Sequence, residues 1–302
     1  MSSTPVLLVV AGKIDGCDYH ISRTIAEHLA DTNANVEVEL QPMLEADWEE
    51  WIRTKAAELG HPKHRLSPLV YYNGVHYVGG TEEFADWATA VYKYNDTPNT
   101  VLYRRMATKA YRQYLADSPH SFVFFDVSID GGSAGRIVFE LFDDLCPKTC
   151  ANFLALCGAA GARGRSAGEE AKQGEGKEGD AGRSTYAGSP FHRVVRGGWV
   201  QGGDIVDGSG ANSEAAAGGL FADESFAVQQ DKPGILSMAN KGPHTNGSQF
   251  FVSTGPLRWL ERTCVAFGRV ISGMRVVRVI EKLELKNERP VAAVTIDACG
   301  QL

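Results

Sequence analysis

The sequence predicts two domains, an N-terminal α/β sandwich and a C-terminal, mainly antiparallel β-barrel capped by two helices. A chain of 302 residues is longer than one compact core usually organises. Strand-like and helix-like stretches alternate through the N-terminal third, whereas short β-branched and aromatic runs with glycine turns dominate after Pro119. We therefore expect domains at residues 1–95 and 120–302, joined by a linker helix at 96–119.

The N-terminal third has the predicted order βαβαββα. Apolar, β-branched or alternating runs indicate strands, amphipathic runs indicate helices, and Asn73-Gly74 is a hairpin signal. The resulting strands are Pro5 to Ala11, Val36 to Leu40, Leu69 to Tyr72 and Val75 to Val78. The helices are Asp18 to Ala30, Leu44 to Leu59 and a last one starting at Thr81, which we interpret as its N-cap.

Three short motifs make this part resemble a glutaredoxin or thioredoxin-like domain over about residues 5–94. They are Cys17-Asp18-Tyr19-His20 at the first helix, Ser67-Pro68 in the place of the family's cis-proline, and the pair Gly79-Gly80. His20 stands where the family has its second cysteine, so a dithiol cycle is not available. The resemblance implies either a redox role for Cys17 or a degenerate docking domain.

Cys17 is the candidate redox residue of this domain. A helix N-terminus favours the thiolate and lowers a thiol pKa, whereas the neighbouring Asp15 and Asp18 act in the opposite direction. We expect a docking role, with Leu69 to Val78 as the contact surface.

The C-terminal part begins as a hairpin, continues through a helix and ends with further short strands and a second helix. The hairpin is Phe122–Ile129 and Arg136–Leu141, and the helices are Pro147–Leu156 and Met274–Leu283. Between them, residues 158–184 contain mostly Gly, Ala and charged residues, too little apolar surface to fold alone. We expect this segment to be a flexible insertion.

A dense series of motifs in this part resembles the cyclophilin family. In family order they are Phe191 to Val195, Val200 to Asp204, Gly234 to Asn240, Asn246 to Phe251, Trp259-Leu260, Val265 to Gly268 and Asp297 to Leu302. The resemblance covers residues 120–302 apart from the insertion. It implies peptidyl-prolyl cis/trans isomerase activity on X-Pro bonds, without a cofactor or a metal.

The resemblance also implies roles for individual residues. Arg193 matches the catalytic arginine, which donates a hydrogen bond to the prolyl nitrogen as the amide twists. The remaining matches are to substrate-binding positions, namely Gln201, Gly208, Asn240, Gln249, Phe251, Trp259 and Leu260, with Trp199 as an altered member of the same set.

Three positions depart from the family pattern. Gly198, Trp199 and Cys264 stand where the family normally has phenylalanine, methionine and histidine. Loss of the phenylalanine removes about 1.5–3 kcal/mol of apolar contact with a proline ring. Trp199 could either restore that contact or fill the pocket and exclude substrate. The sequence therefore predicts an isomerase of reduced activity, with a non-catalytic proline-segment binding module or a cytoskeletal assembly component as alternatives.

Composition restricts the partners and the compartment. A net charge of −7 does not favour nucleic-acid binding, and no apolar run reaches the length of about 18 residues that a membrane span needs. Six cysteines in a chain without a recognisable secretory signal are expected to be reduced thiols, as in a cytoplasmic protein. We expect proline-containing polypeptides as partners. Resemblance of the whole arrangement to cyclophilin-like proteins of ciliated eukaryotes implies cytoskeletal or axonemal partners and a cilium or flagellum location.

Overall fold

The chain divides into two units, Met1–Ser118 and Pro119–Leu302, and each has its own clusters of buried apolar side chains. The computed structural model describes residues 5–95, 99–158 and 185–302. The predicted insertion, residues 158–184, lies outside the described residues except for Gly158. Each unit is described separately below.

The first unit contains a four-stranded sheet with the strand order β2-β1-β3-β4. Strand β1 runs parallel to β2 and antiparallel to β3, which forms a hairpin with β4. The strands are β1 Val6–Lys13, β2 Val36–Met43, β3 Leu69–Tyr72 and β4 His76–Gly79. The helices are α1 Cys17–Thr32, α2 Glu45–Glu58 and α3 Thr81–Tyr92. The predicted order βαβαββα is thus found, while the thioredoxin-like identity of this unit stays a prediction.

Helix α3 begins at Thr81, the residue that we expected to be its N-cap. Its N-cap is Gly80, whose amide donates to the Glu83 carboxylate over 2.9 Å. Thr81 is the first helical residue instead, and its hydroxyl donates to the Asp18 carbonyl over 3.1 Å. The Thr81 hydroxyl therefore forms a hydrogen bond with helix α1 and does not cap the amides of its own helix.

The helix expected as a linker packs in the first unit. It spans α4 Thr100–Asp117, and the Asn99 side chain caps it by accepting from the amides of Val101 and Leu102. Tyr103 is buried in the apolar cluster that also contains residues of α1, and Ala107 of the same helix is buried as well. Burial of this face makes α4 part of the first unit and not a free connector.

The second unit is a nearly closed antiparallel barrel of eight strands in the order β14-β5-β6-β11-β9-β10-β8-β7. A bridge between Pro190 and Thr295 joins its two edges. The strands are β5 Ser121–Ile129, β6 Gly132–Leu141, β7 Phe191–Val195, β8 Trp199–Gly202, β9 Ile235–Met238, β10 Phe250–Ser253, β11 Ala266–Ser272 and β14 Val294–Gln301. A separate small hairpin consists of β12 Leu285–Lys286 and β13 Arg289–Pro290.

Two helices, α5 Pro147–Leu156 and α6 Met274–Glu281, complete the apolar core of the barrel. The ring of Phe153 on α5 lies 5.2 Å from that of Phe267, an edge contact typical of packed aromatics. Cys146, Cys150 and Cys157 are buried in the same core. None of the helices in the described parts of the chain combines the length and apolar character of a membrane span.

Candidate active site in the barrel groove

Strand pairing brings three of the predicted site residues into one row. Arg193 on β7 pairs with Gln201 on β8, and Gln201 pairs with Phe251 on β10. Directly opposed residues of antiparallel strands have Cβ atoms about 5 Å apart. The register alone therefore places a guanidinium, an amide and an aromatic ring side by side across three strands.

A glutamine network fixes the polar side of this row. The Gln201 side-chain amide donates to Gln249 Oε1 over 2.8 Å. The Gln249 amide group in turn donates to the carbonyls of Gly210 and Asn212 over 3.0 and 2.8 Å. Burial lowers the pKa of His192, so its neutral ring can donate from Nε2 to Gln249 Oε1, 3.2 Å away. The orientation of both glutamine amides is thereby determined.

Arg193 is held by a carboxylate that sequence analysis missed. Its Nε donates to Glu288 Oε2 over 2.7 Å, and its Cζ lies 5.4 Å from the centre of the Trp199 ring. The side chain remains 43% exposed. Because Glu288 binds Nε alone, the two terminal nitrogens of Arg193 remain available to donate to a ligand.

Glu288 lies in the turn between β12 and β13. Asn287 and Glu288 have φ angles of 49° and 64°, the left-handed region that the two central residues of a tight hairpin adopt. The Glu288 carbonyl also accepts from the Val194 amide over 2.7 Å, which ties the turn to β7. Asparagine is a turn signal in sequence, but a glutamate at the next position is not, so no pattern pointed to this contact.

Four predicted site residues line one cavity of about 650 Å³, namely Arg193, Gln201, Asn240 and Gln249. The Asn240 side-chain amide donates to the Thr263 carbonyl over 2.7 Å. These four residues therefore contribute three amide groups and one guanidinium to the cavity wall, which suits the backbone of a bound peptide.

The apolar predicted residues form a neighbouring cluster and do not line this cavity. Phe251 packs with Leu257 and Cys264, and Leu260 packs against the same group. The Trp199 ring lies 5.6 Å from that of Phe251, and its indole N–H donates to Gln201 Oε1 over 3.2 Å. Phe251 is only 3% exposed. The structure shows the Trp199 indole packed on Phe251, the side chain that was expected as a wall of the proline pocket.

The backbone at Gly198 is fixed although its side chain is absent. Its amide donates to the Val195 carbonyl over 2.9 Å, and its carbonyl accepts from the Thr254 amide over 2.7 Å. The adjoining Gly197 amide donates to Glu281 on α6 over 2.9 Å. A Cβ at position 198 would lie 3.1 Å from Val195 Cγ1, so a larger residue needs only a small adjustment.

Two further predicted binding residues also lie outside the cavity lining. Trp259 is 66% exposed in the short 3₁₀ turn Arg258–Leu260. Gly208 has a φ of 71°, and a Cβ there would lie 2.8 Å from Pro190 Cγ, so this position needs glycine for its backbone.

Residues 124–301, more than half of the chain, match the family model described as cyclophilin type peptidyl-prolyl cis-trans isomerase/CLD. The chain belongs to the cyclophilin family. The match covers the barrel, and with it every predicted cyclophilin-type site residue.

Relatives with both parts of the chain are known in mammals. This cyclophilin is 36% identical to the human protein "Probable inactive peptidyl-prolyl cis-trans isomerase-like 6" over 98% of this chain and 92% of the relative. The bovine protein of the same name is 37% identical over 99% and 94%. Mouse "NK-tumor recognition protein" is 44% identical over 59% of this chain and 11% of its own length.

Asp204 organises the loop beside the cavity of this cyclophilin domain. The carboxylate is 1% exposed and accepts from the backbone amides of four loop residues over 2.7–3.3 Å, namely Val206, Asp207, Gly210 and Asn212. Burial alone would raise the pKa of Asp204, but the four amides outweigh it and lower the pKa. Asp204 appeared in sequence only as the end of a motif, because its loop partners were not predictable.

The first unit gives no support to an activated Cys17. Burial and then Asp18 raise the pKa of the Cys17 thiol, and Arg104 opposes them only in part. The thiol lies 3.8 Å from the Thr100 carbonyl. Asp18 thus opposes the thiolate, as expected from the sequence, and a redox role for Cys17 stays a prediction. Among the described residues, no group of three His, Cys, Asp or Glu side chains could hold a metal ion.

Proposed function

We propose that the cyclophilin domain binds X-Pro segments of other polypeptides and isomerises them only slowly. The polar half of the groove supports binding, because Gln201, Gln249 and Asn240 present oriented amide groups along one cavity. Such groups can pair with the backbone of an extended peptide, which otherwise loses its hydrogen bonds to water.

The burial of Phe251 supports the second part of the proposal, slow isomerisation. Phe251 is 3% exposed, with the Trp199 ring 5.6 Å away. A proline ring can contact Phe251 only after the indole has moved, and that movement costs the packing and the Trp199 hydrogen bond to Gln201. The words "probable inactive" in the names of the mammalian relatives support slow catalysis for this chain as well.

Catalysis of the rotation about the X-Pro amide requires Arg193. Rotation about an X-Pro amide has a barrier of about 18–20 kcal/mol because the planar amide is stabilised by resonance. The prolyl nitrogen regains its lone pair as the bond twists, so a hydrogen-bond donor at that nitrogen stabilises the twisted amide selectively. The terminal nitrogens of Arg193 can supply this donor while Glu288 holds Nε at 2.7 Å.

Exchange spectroscopy by NMR on a short Ala-Pro peptide tests this function. We expect the wild-type chain to accelerate cis/trans exchange measurably but weakly, and Arg193→Ala to return exchange to the uncatalysed rate. If the two proteins give the same exchange rate and both bind the peptide, the domain is a non-catalytic binding module. A wild-type rate unchanged in Trp199→Met would contradict the role given to the indole.

A further inference from the structure

The cavity beside the proposed proline site has a cationic lining. Three basic side chains line it, Arg193, Lys241 and Arg289, and its described lining residues include no aspartate or glutamate. This local charge contrasts with the net charge of −7 of the whole chain. A cationic concavity attracts anionic groups locally, even on a protein of net negative charge.

Lys241 and Arg289 are held by neutral partners. Lys241 Nζ donates to the Ala211 carbonyl over 2.8 Å, and the Arg289 guanidinium donates to the carbonyls of Gly208 and Ser209. Arg193, by contrast, is already paired with Glu288. The positive charges of Lys241 and Arg289 are therefore positioned but not neutralised by these contacts.

The loop Gly208–Ala211 explains why both cations meet at one wall. The buried Asp204 carboxylate accepts amide hydrogens from this region, including that of Gly210 over 2.7 Å. The carbonyls of Gly208, Ser209 and Ala211 then accept from the two cations. The loop therefore binds a buried anion through its amides and two cations through its carbonyls, which fixes the loop and both side chains together.

We propose that this cavity takes an acidic side chain of the bound polypeptide, so that the groove selects proline segments with a nearby aspartate or glutamate. The inference rests on the proposed function, since it names the substrate class of the same groove. A cavity of about 650 Å³ is roughly 9 Å across, a span that an extended chain covers in about three residues. The acidic residue therefore lies about three positions from the proline.

Binding of matched heptapeptides tests the proposal. Each has a central Ala-Pro and carries either Glu or Gln three residues before or three residues after the proline. We expect one Glu peptide to bind the full-length protein about five- to tenfold more tightly than its Gln partner at low ionic strength. The ratio should fall below about two in 1 M salt, where the Debye length is about 3 Å.

Charge variants assign the effect to the two cations. Lys241→Gln and Arg289→Gln should each reduce the Glu-to-Gln affinity ratio at least about threefold, and Lys241→Arg should retain it. Arg275→Gln is the matched control, because this exposed α6 residue removes the same charge outside the cavity lining. Equal affinities for both members of both peptide pairs would overturn the charge preference alone. Failure of all four peptides to bind would overturn the proposed function and this inference together.

Discussion

Replacement of Trp199 by methionine should open the apolar half of the groove. The indole packs against Phe251, which is 3% exposed, and donates to Gln201. A methionine retains some packing but is narrower and flexible, so a proline ring can reach the phenylalanine. Burial of about 60 Å² of apolar surface by that ring corresponds to about 1.5 kcal/mol, or about tenfold in affinity.

Calorimetric titration with an Ala-Pro peptide measures this gain, and exchange spectroscopy on the same samples should show faster isomerisation. Trp87→Met is the matched control, because it removes a partly buried indole from the first unit and should leave peptide affinity unchanged. Unchanged or weaker binding by a folded Trp199→Met variant would refute the reasoning, since the indole would then not obstruct the proline ring.

Other expected outcomes concern titrating groups. Burial alone would lower the pKa of His120, but hydrogen bonds to Glu140 and Asp144 raise this pKa. The protonated His120 therefore stabilises the folded state below about pH 6.5, and this stabilisation is lost as the pH rises through the folded-state pKa. Urea unfolding of the wild type and His120→Gln across pH 5–9 checks this. Asp204→Asn should lower the free energy of unfolding by about 2 kcal/mol, measured the same way, since four loop amides lose a charged acceptor. The alkylation rate of Cys17 against pH should give an apparent pKa above about 8.5, because burial and Asp18 disfavour the thiolate.

The barrel could be predicted because strand periodicity and the order of the motifs are visible in the sequence. Alternation along a strand places residues two apart on one face, and the motifs occurred in family order. The strand pairing of the folded chain then places Arg193, Gln201 and Phe251 in one register row.

The side-chain contacts that modify the site could not be predicted. Whether Trp199 restores the contact with a proline ring or fills the proline pocket depends on the free volume beside Phe251. The spacing of residues in the sequence does not reveal that volume. Glu288 reaches Arg193 from a turn 95 residues later in the chain, so its role required the fold. Helix α4 has an amphipathic pattern that fits either a connector or a packed helix, and only its burial on the first unit decides between them.

The site roles carried over from the resemblance, the partners and the location in the cell stay predictions. The cytoplasmic or ciliary location and the cytoskeletal partners were implied by likeness to proteins of ciliated eukaryotes. Co-sedimentation of the full-length chain with polymerised tubulin, compared with a chain lacking the first unit, would address the partner class directly. We expect sedimentation to require residues 1–95 if the Leu69 to Val78 surface is the docking site.

The most direct test of the central claim is the affinity of the full-length chain for two peptides that differ only in Ala-Pro against Ala-Ala. The account predicts saturable binding of the Ala-Pro peptide by the wild-type chain, weaker binding of the Ala-Ala peptide, and a difference that widens about tenfold in Trp199→Met, where the indole no longer obstructs Phe251. Equal affinity of the wild-type chain for both peptides, or binding of neither, would contradict a groove that recognises proline.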